Sequence, residues 1–120
     1  MRLLLIEDDE FTRDLYKDVF TKAGFEVETA ADGEEGVVKA REGSYKLILL
    51  DVMMPKLDGL GVLKALKASP AKSANGPILL LTNLAHDPVV TEAIQNGAKD
   101  SLVKADYNPD ELVTKVKSYL

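Results

Sequence analysis

Three unbroken apolar runs, Leu3 to Ile6, Leu47 to Leu50 and Ile78 to Leu81, constrain this chain most, because each stops abruptly at polar residues. With no alternation of apolar and polar positions, neither face of such a run is left for water. Each therefore predicts a strand covered on both sides, as in a parallel α/β sheet. The middle run ends at Asp51 and passes into Val52-Met53-Met54-Pro55-Lys56-Leu57-Asp58-Gly59, whose Pro and Gly mark a loop. Asp51 thus stands at the carboxyl end of a central strand, where the loops of an open α/β sheet form a crevice that collects ligands and chemistry. An Asp after a strand also commonly caps the following turn, and this stretch alone supports both readings equally.

Between the runs the period changes. Phe11, Leu15, Tyr16, Val19, Phe20 and Ala23 recur at helical spacing, predicting an amphipathic helix closed by Gly24. Phe25 to Thr29 alternates apolar with charged residues, which suits a strand with one exposed face near a sheet edge. Asp32 and Glu35 have the spacing of a capping box for a helix running to Arg41, which Gly36 weakens by ~1 kcal/mol. Leu60, Leu63 and Leu66 mark a third helix, and Ser69 to Pro77 reads as an exposed loop. Asp87-Pro88 and Asn108-Pro109 each join a cap to Pro at the first helical position. The inner sides of those helices carry Val90, Ala93 and Ile94, and Leu112, Val113, Val116 and Leu120. A short strand, Ser101 to Val103, ends at Lys104. Repeated β-then-α units predict a parallel sheet with helices on both faces, joined by right-handed crossovers. The continuous runs belong in the centre and the alternating second and short fifth strands at the edges. That is a flavodoxin-like, doubly wound (βα)5 sheet in the order 2-1-3-4-5.

Residues 1–120 are long enough for one domain that buries roughly two-thirds of its unfolded surface. The absence of Cys excludes a disulfide framework, a thiolate metal site and a sulfur nucleophile. No apolar run approaches a membrane span, and the first residues reach acid at Glu7 and Asp8 too soon for a signal peptide. A soluble, cytoplasmic protein without membrane contact is expected. A net charge of -5, with no clustered basic stripe, opposes attraction to a phosphate backbone, so direct nucleic-acid binding is not expected.

The topology brings the ends of strands one, three, four and five together, so Glu7, Asp8, Asp9, Asp51, Thr82 and Lys104 should face one crevice. Crowded carboxylates are costly without a counter-ion. Oxygen donors without His or Cys suit a hard cation such as Mg²⁺, which takes one or two carboxylates and keeps several waters. Asp8, Asp51 and the backbone carbonyl of Met53 are the expected direct ligands. With the repulsion offset, a free Asp51 oxygen can attack a phosphoryl group to form an acyl phosphate. Lys104, the Thr82 hydroxyl and Mg²⁺ would each hold a phosphoryl oxygen. An aspartate is ordinarily ionised at neutral pH, so no general base is required.

In these residues the chain resembles the CheY-like receiver domain of two-component response regulators. The resemblance covers essentially the whole chain: Glu7-Asp8 after strand one, Asp51 followed by Met54-Pro55 and Asp58-Gly59, Thr82 after strand four and Lys104 after strand five. It implies that Asp51 is the phospho-acceptor, that Asp8 binds the metal directly and that Glu7 acts through water. Register, anchored by Arg13, leaves Asp9 one place beyond the family's acidic pair and makes it the weakest of the metal candidates. The resemblance further implies a phosphoprotein with self-phosphorylation and self-dephosphorylation chemistry only, not an enzyme acting on other substrates. It would take its phosphoryl group from a sensor histidine kinase or phosphotransfer protein. It would signal through the face formed by the fourth helix, fifth strand and fifth helix to a downstream protein target or to an output domain absent from this chain. Two departures stand out: Ser101 occupies the family's usual Tyr or Phe position, and Ala105 replaces the Pro that usually follows the lysine. The first puts the usual output mechanism in doubt.

Taken singly, Thr82 and Lys104 would be an ordinary strand-end hydroxyl and a surface lysine; their joint placement raises both. His86 reads as a loop residue, and the side chains of Met53 and Met54 as packing groups. A phosphatase with an aspartyl-phosphate intermediate would want a second carboxylate two residues after Asp51, where Met53 stands. A flavin mononucleotide protein would need a hydroxyl- and Gly-rich loop after strand one, where Glu7 to Glu10 would repel phosphate. The alternative to phosphorylation is a receiver-like interaction module that works without it, against which the full set of chemical residues argues.

Overall fold

The structure, a computed structural model, describes residues 1–83 and 88–120. The apolar runs become β1 (Arg2–Ile6), β3 (Leu47–Asp51) and β4 (Ile78–Thr82), the middle of a parallel sheet with β2 (Glu26–Ala30) and β5 (Asp100–Val103) at its edges. Strand order is β2-β1-β3-β4-β5. The flavodoxin-like arrangement is completed by α1 (Glu10–Lys22), α2 (Gly33–Glu42), α3 (Gly59–Ala68), α4 (Pro88–Gln95) and α5 (Pro109–Lys117), and a short 3-10 turn, Lys104–Asp106, follows β5. Successive strand residues serve opposite layers. Leu3, Leu5 and Leu49 join Phe20, Leu112 and Val116 under α1 and α5, whereas Leu4, Ile6 and Leu50 join Val37, Val62 and Ala93 under α2, α3 and α4. Both faces are apolar, which is why the runs do not alternate. Among the described residues no helix is long and apolar enough to cross a membrane.

Local chemistry sets the helix starts. Asn108 and Glu111 close a full capping box on α5. On α2 the Asp32 carboxylate accepts from the Glu35 N–H, while the Glu35 carboxylate reaches past the cap to accept from Ala31. Gly36 proves to be a packing requirement as well as a helix weakness, since a Cβ there would lie 2.7 Å from the Ile6 side chain. The expected inner faces need correction at four places: Phe11, Leu15, Ile94 and Leu120 are exposed. Phe11 lies in the first turn of α1 and Leu120 beyond the end of α5, where no strand face covers them. His86 and the expected cap Asp87 lie outside the described residues. At the amino edge of the sheet, the loop of residues 69–77 is tied down by Asn75. Its side chain accepts from the Tyr45 N–H and donates to the Ala40 carbonyl, at 3.0 and 2.9 Å.

Candidate functional site

At the opposite edge, the ends of β1, β3 and β5 deliver Glu7, Asp8, Asp51 and Lys104 to one open cleft of about 550 Å³, which Asp9 and Met53 also line. Thr82, at the end of β4 and 1% exposed, stands one residue beyond the Asp51–Leu81 pairing and is not part of the cleft lining. Glu7, Asp8 and Asp51 each offer a carboxylate oxygen within 4.8 Å of the others. Glu7 is 2% exposed and Asp51 6%. Lys104 Nζ donates to both Glu7 oxygens at 3.2 and 3.3 Å and lies 3.6 Å from Asp51 Oδ2.

Among the described residues one ammonium, paired with Glu7 and Asp51, stands beside three carboxyl groups, and the charge balance is short. Burial pushes Glu7 up to about 8, the neighbouring Asp51 adds to the rise, and Lys104 only partly opposes it. Asp8 is also raised, by burial and then by the charge of Asp51. A buried charge without full compensation is expensive, and protonation relieves it in the absence of a cation. The donor set is hard oxygen throughout, as Mg²⁺ or a similar divalent ion prefers. The residues present thus fit such an ion in both donor chemistry and charge.

The two readings of Asp51 turn out to be compatible. Its Oδ1 accepts from the Met53 N–H at 3.3 Å, as a turn cap would, and its Oδ2 is the oxygen facing Lys104. The Met53 side chain, expected to pack, is 63% exposed on the cleft wall instead; Met54 does pack against the core. Asp9 caps α1, accepting from the Thr12 N–H at 2.8 Å and the Thr12 hydroxyl at 2.6 Å. Those bonds hold its carboxyl below the usual range. Asp9 followed three residues later by Thr12 was the local signal for this role. Arg13 donates to the carbonyls of Glu7 and Asp8 at 3.1 and 3.3 Å, holding the acidic loop from beneath. Asp58 caps α3 through the Gly61 N–H, which starts the helix after the Asp51 loop. Ser101 is half-buried on β5 opposite Leu80. Sequence reasoning missed Thr12, Leu15, Tyr16 and Asn83, which also line the cleft. Helical spacing assigns Leu15 and Tyr16 to the core, and no pattern in the chain signals that they reach a strand end.

Residues 3–117 match the family model described as the response regulator receiver domain. The transcriptional regulatory protein CpxR homolog of Haemophilus influenzae is 40% identical over 119 residues, covering 99% of this chain and 50% of that protein, so the chain spans about half of that relative's length. Chemotaxis protein CheY4 of Vibrio cholerae superposes with a TM-score of 0.84 at 33% identity, over 99% of this chain and 98% of that one. A chain of the CheX-CheY-BeF3-Mg²⁺ complex from Borrelia burgdorferi superposes with a TM-score of 0.83 at 28% identity, over 98% and 87%.

Proposed function

This chain belongs to the response regulator receiver domain family, and from that premise we propose that it accepts a phosphoryl group on Asp51 in a two-component phosphorelay. The donor is a phosphohistidine of a sensor histidine kinase or phosphotransfer protein. The carrying observation is the buried Asp51 carboxylate at the end of β3, with one oxygen 3.6 Å from Lys104 and with Glu7 and Asp8 beside it. In the transfer, the donor's N–P bond breaks as the Asp51 O–P bond forms, and the ring nitrogen keeps the electron pair. Asp8, Asp51 and the Met53 carbonyl would hold Mg²⁺ directly and Glu7 through water, while Asp9 is committed to its helix cap. Bound there, Mg²⁺ offsets the acidic repulsion and the charge of the incoming phosphoryl oxygens. Lys104 exchanges a carboxylate for a phosphoryl oxygen, and the Thr82 hydroxyl donates to another. The Borrelia burgdorferi complex, which contains BeF3 and Mg²⁺, supports this reading.

The chemistry is confined to the domain's own phosphorylation and dephosphorylation. Output passes through α4, β5 and α5 to a downstream protein or an output domain, and the partners place the protein in the cytoplasm. A modification shifts a two-state equilibrium only by its differential interaction with the two states. Ser101 is too small to fill the space that a displaced Thr82 would vacate, so the change at the output face is small. Mass spectrometry after acetyl phosphate treatment, with and without chelator, tests the acceptor. Labelling should require a divalent ion and vanish in Asp51→Asn, and equal labelling of that variant refutes the assignment. For the output face, backbone NMR with beryllofluoride should move Asp51 and Lys104 strongly and α5 weakly; concerted shifts from Ser101 through Tyr119 would refute it.

A further inference from the structure

Tyr16 is buried in α1, with its ring in the apolar layer that holds Phe20, Leu5 and Leu102, yet it also lines the acidic cleft. Phe or Leu would serve that layer as well, so packing leaves the hydroxyl unexplained. Among the described residues no protein group hydrogen-bonds the phenol, and no fully buried side-chain polar atom lacks a partner. The O–H therefore takes its remaining exposure from the cleft. Burial holds the phenol above its usual range, Lys104 opposes, and Glu7 and Asp51 add to the rise. It is a neutral donor with an open hydrogen bond, within the field of all three charged groups.

Glu7 has the complementary difficulty. In the free site, among the described residues, both its oxygens accept from Lys104, and the other side chain set against its carboxyl is the acidic Asp51. If Lys104 turns to a phosphoryl oxygen, as the proposed function requires, the carboxyl of a residue only 2% exposed loses that donor. A water held by Mg²⁺ would serve one Glu7 oxygen, but the other would lose its donor. A buried acceptor left unsatisfied is costly, so a second donor is favoured there. We propose that Tyr16 is a positioning residue whose hydroxyl takes over from Lys104 as hydrogen-bond donor to Glu7 when Asp51 is phosphorylated. The phenol would thereby release the ammonium for the phosphoryl group and stabilise the modified state.

This inference rests on the phospho-acceptor reading, and the test separates the two. The full chain is titrated with beryllofluoride in Mg²⁺; if the wild type does not bind it, the acceptor reading itself fails. If it binds, Tyr16→Phe should lower beryllofluoride affinity about five- to tenfold, the loss of one hydrogen bond to a buried charged group. Mg²⁺ affinity without beryllofluoride should stay within about twofold, because Lys104 still serves Glu7 in that state. In the wild type the Tyr16 Cζ resonance should move on beryllofluoride binding as the phenol gains its acceptor. In a Glu7→Gln background the effect of Tyr16→Phe should shrink, since the partner that carries it has changed. A beryllofluoride affinity within twofold of wild type, a stationary Cζ resonance, or an undiminished effect in the Glu7→Gln background each overturns the proposal.

Discussion

At the amino edge of the sheet the loop of residues 69–77 is joined to its neighbours within the chain. Asn75 bridges Tyr45 and Ala40, and Gly76 donates to the Tyr45 carbonyl at 2.7 Å. Gly76 comes so close that a Cβ would lie 1.8 Å from the Lys46 carbonyl oxygen. At the carboxyl edge the same sheet ends in Glu7, Asp8 and Asp51 with, among the described residues, the one ammonium of Lys104 beside them, and burial raises Glu7 far above the ordinary carboxylate range. The first edge satisfies its polar groups internally and so serves as scaffold. Among the described residues the second leaves a deficit of positive charge, on which, under the proposed function, a cation and an incoming phosphoryl group would act. Stability should accordingly reside at one edge and chemistry at the other.

The largest expected effect is chemical. Asp51→Asn should reduce labelling by acetyl phosphate at least about a hundredfold, because the proposed nucleophile is gone. It should not destabilise the metal-free fold, since one of three crowded acids has been neutralised. A denaturation midpoint well below wild type would break the comparison by showing that the acidic cluster also holds the domain together.

Next in size is the mirror experiment. Asn75→Ala removes two hydrogen bonds to backbone groups and should cost about 1 to 3 kcal/mol in chemical denaturation. The labelling rate per folded molecule should stay within about twofold, as distant sites usually act independently. Parallel losses of stability and labelling would mean that the two edges are coupled.

This division was only partly legible in the sequence. Continuous runs identify central strands because burial on both faces leaves a direct trace in residue type, and the strand order then carries Glu7, Asp8, Asp51 and Lys104 to one edge. Asp100 opens β5 as a polar residue, one place before the expected start, because pairing with Leu79 rather than hydropathy defines an edge strand's beginning. Periodicity shows which residues share a helix face but not where the sheet stops covering it, which is why Phe11 and Leu15 seemed inward and are exposed. Gly36 looked like a weakness because its reason, the Ile6 side chain on another element, is thirty residues away. The Lys104 bridge to Glu7 was equally hidden: strand ends bring residues to a cleft without saying which of them pair.

A smaller effect should appear in pH dependence. With Glu7 raised to about 8 by burial, a divalent cation entering the proposed site below that pH would have to displace a proton. Mg²⁺ affinity, read by calorimetry, should climb by up to about tenfold per pH unit between about 6 and 8, then level off. Glu7→Gln should flatten the climb. The same linkage governs metal-free stability. The folded value of Glu7 lies above its unfolded 4.5, so its stabilising contribution is complete below 4.5 and is lost as pH rises through about 8. The denaturation midpoint should fall from about pH 6 to about pH 8.5, and fall less in saturating Mg²⁺. A midpoint that climbs over this window would remove the charge deficit from the carboxyl edge.

The smallest effect concerns Asp9, which sits on the chemical edge but behaves like a member of the scaffold. Its carboxylate is occupied by the Thr12 N–H and hydroxyl, and those bonds hold it below the usual range. It lies next to Asp8 in the chain yet outside the group formed by Glu7, Asp8 and Asp51. Asp9→Asn keeps an oxygen that can accept from Thr12, so the helix cap should survive and stability should change little. Asp9→Ala removes the acceptor and should lower the thermal midpoint by about 3 to 6 °C. In both variants Mg²⁺ affinity should fall by no more than about twofold, since only the field around the cleft changes. Asp8→Asn, which deletes a direct ligand in the proposed site, should cost about tenfold or more. An Asp9→Asn loss exceeding that of Asp8→Asn would move the metal one residue along the acidic loop. The ion would then have to outcompete Thr12 for the Asp9 carboxylate, and the first turn of α1 would loosen each time it bound.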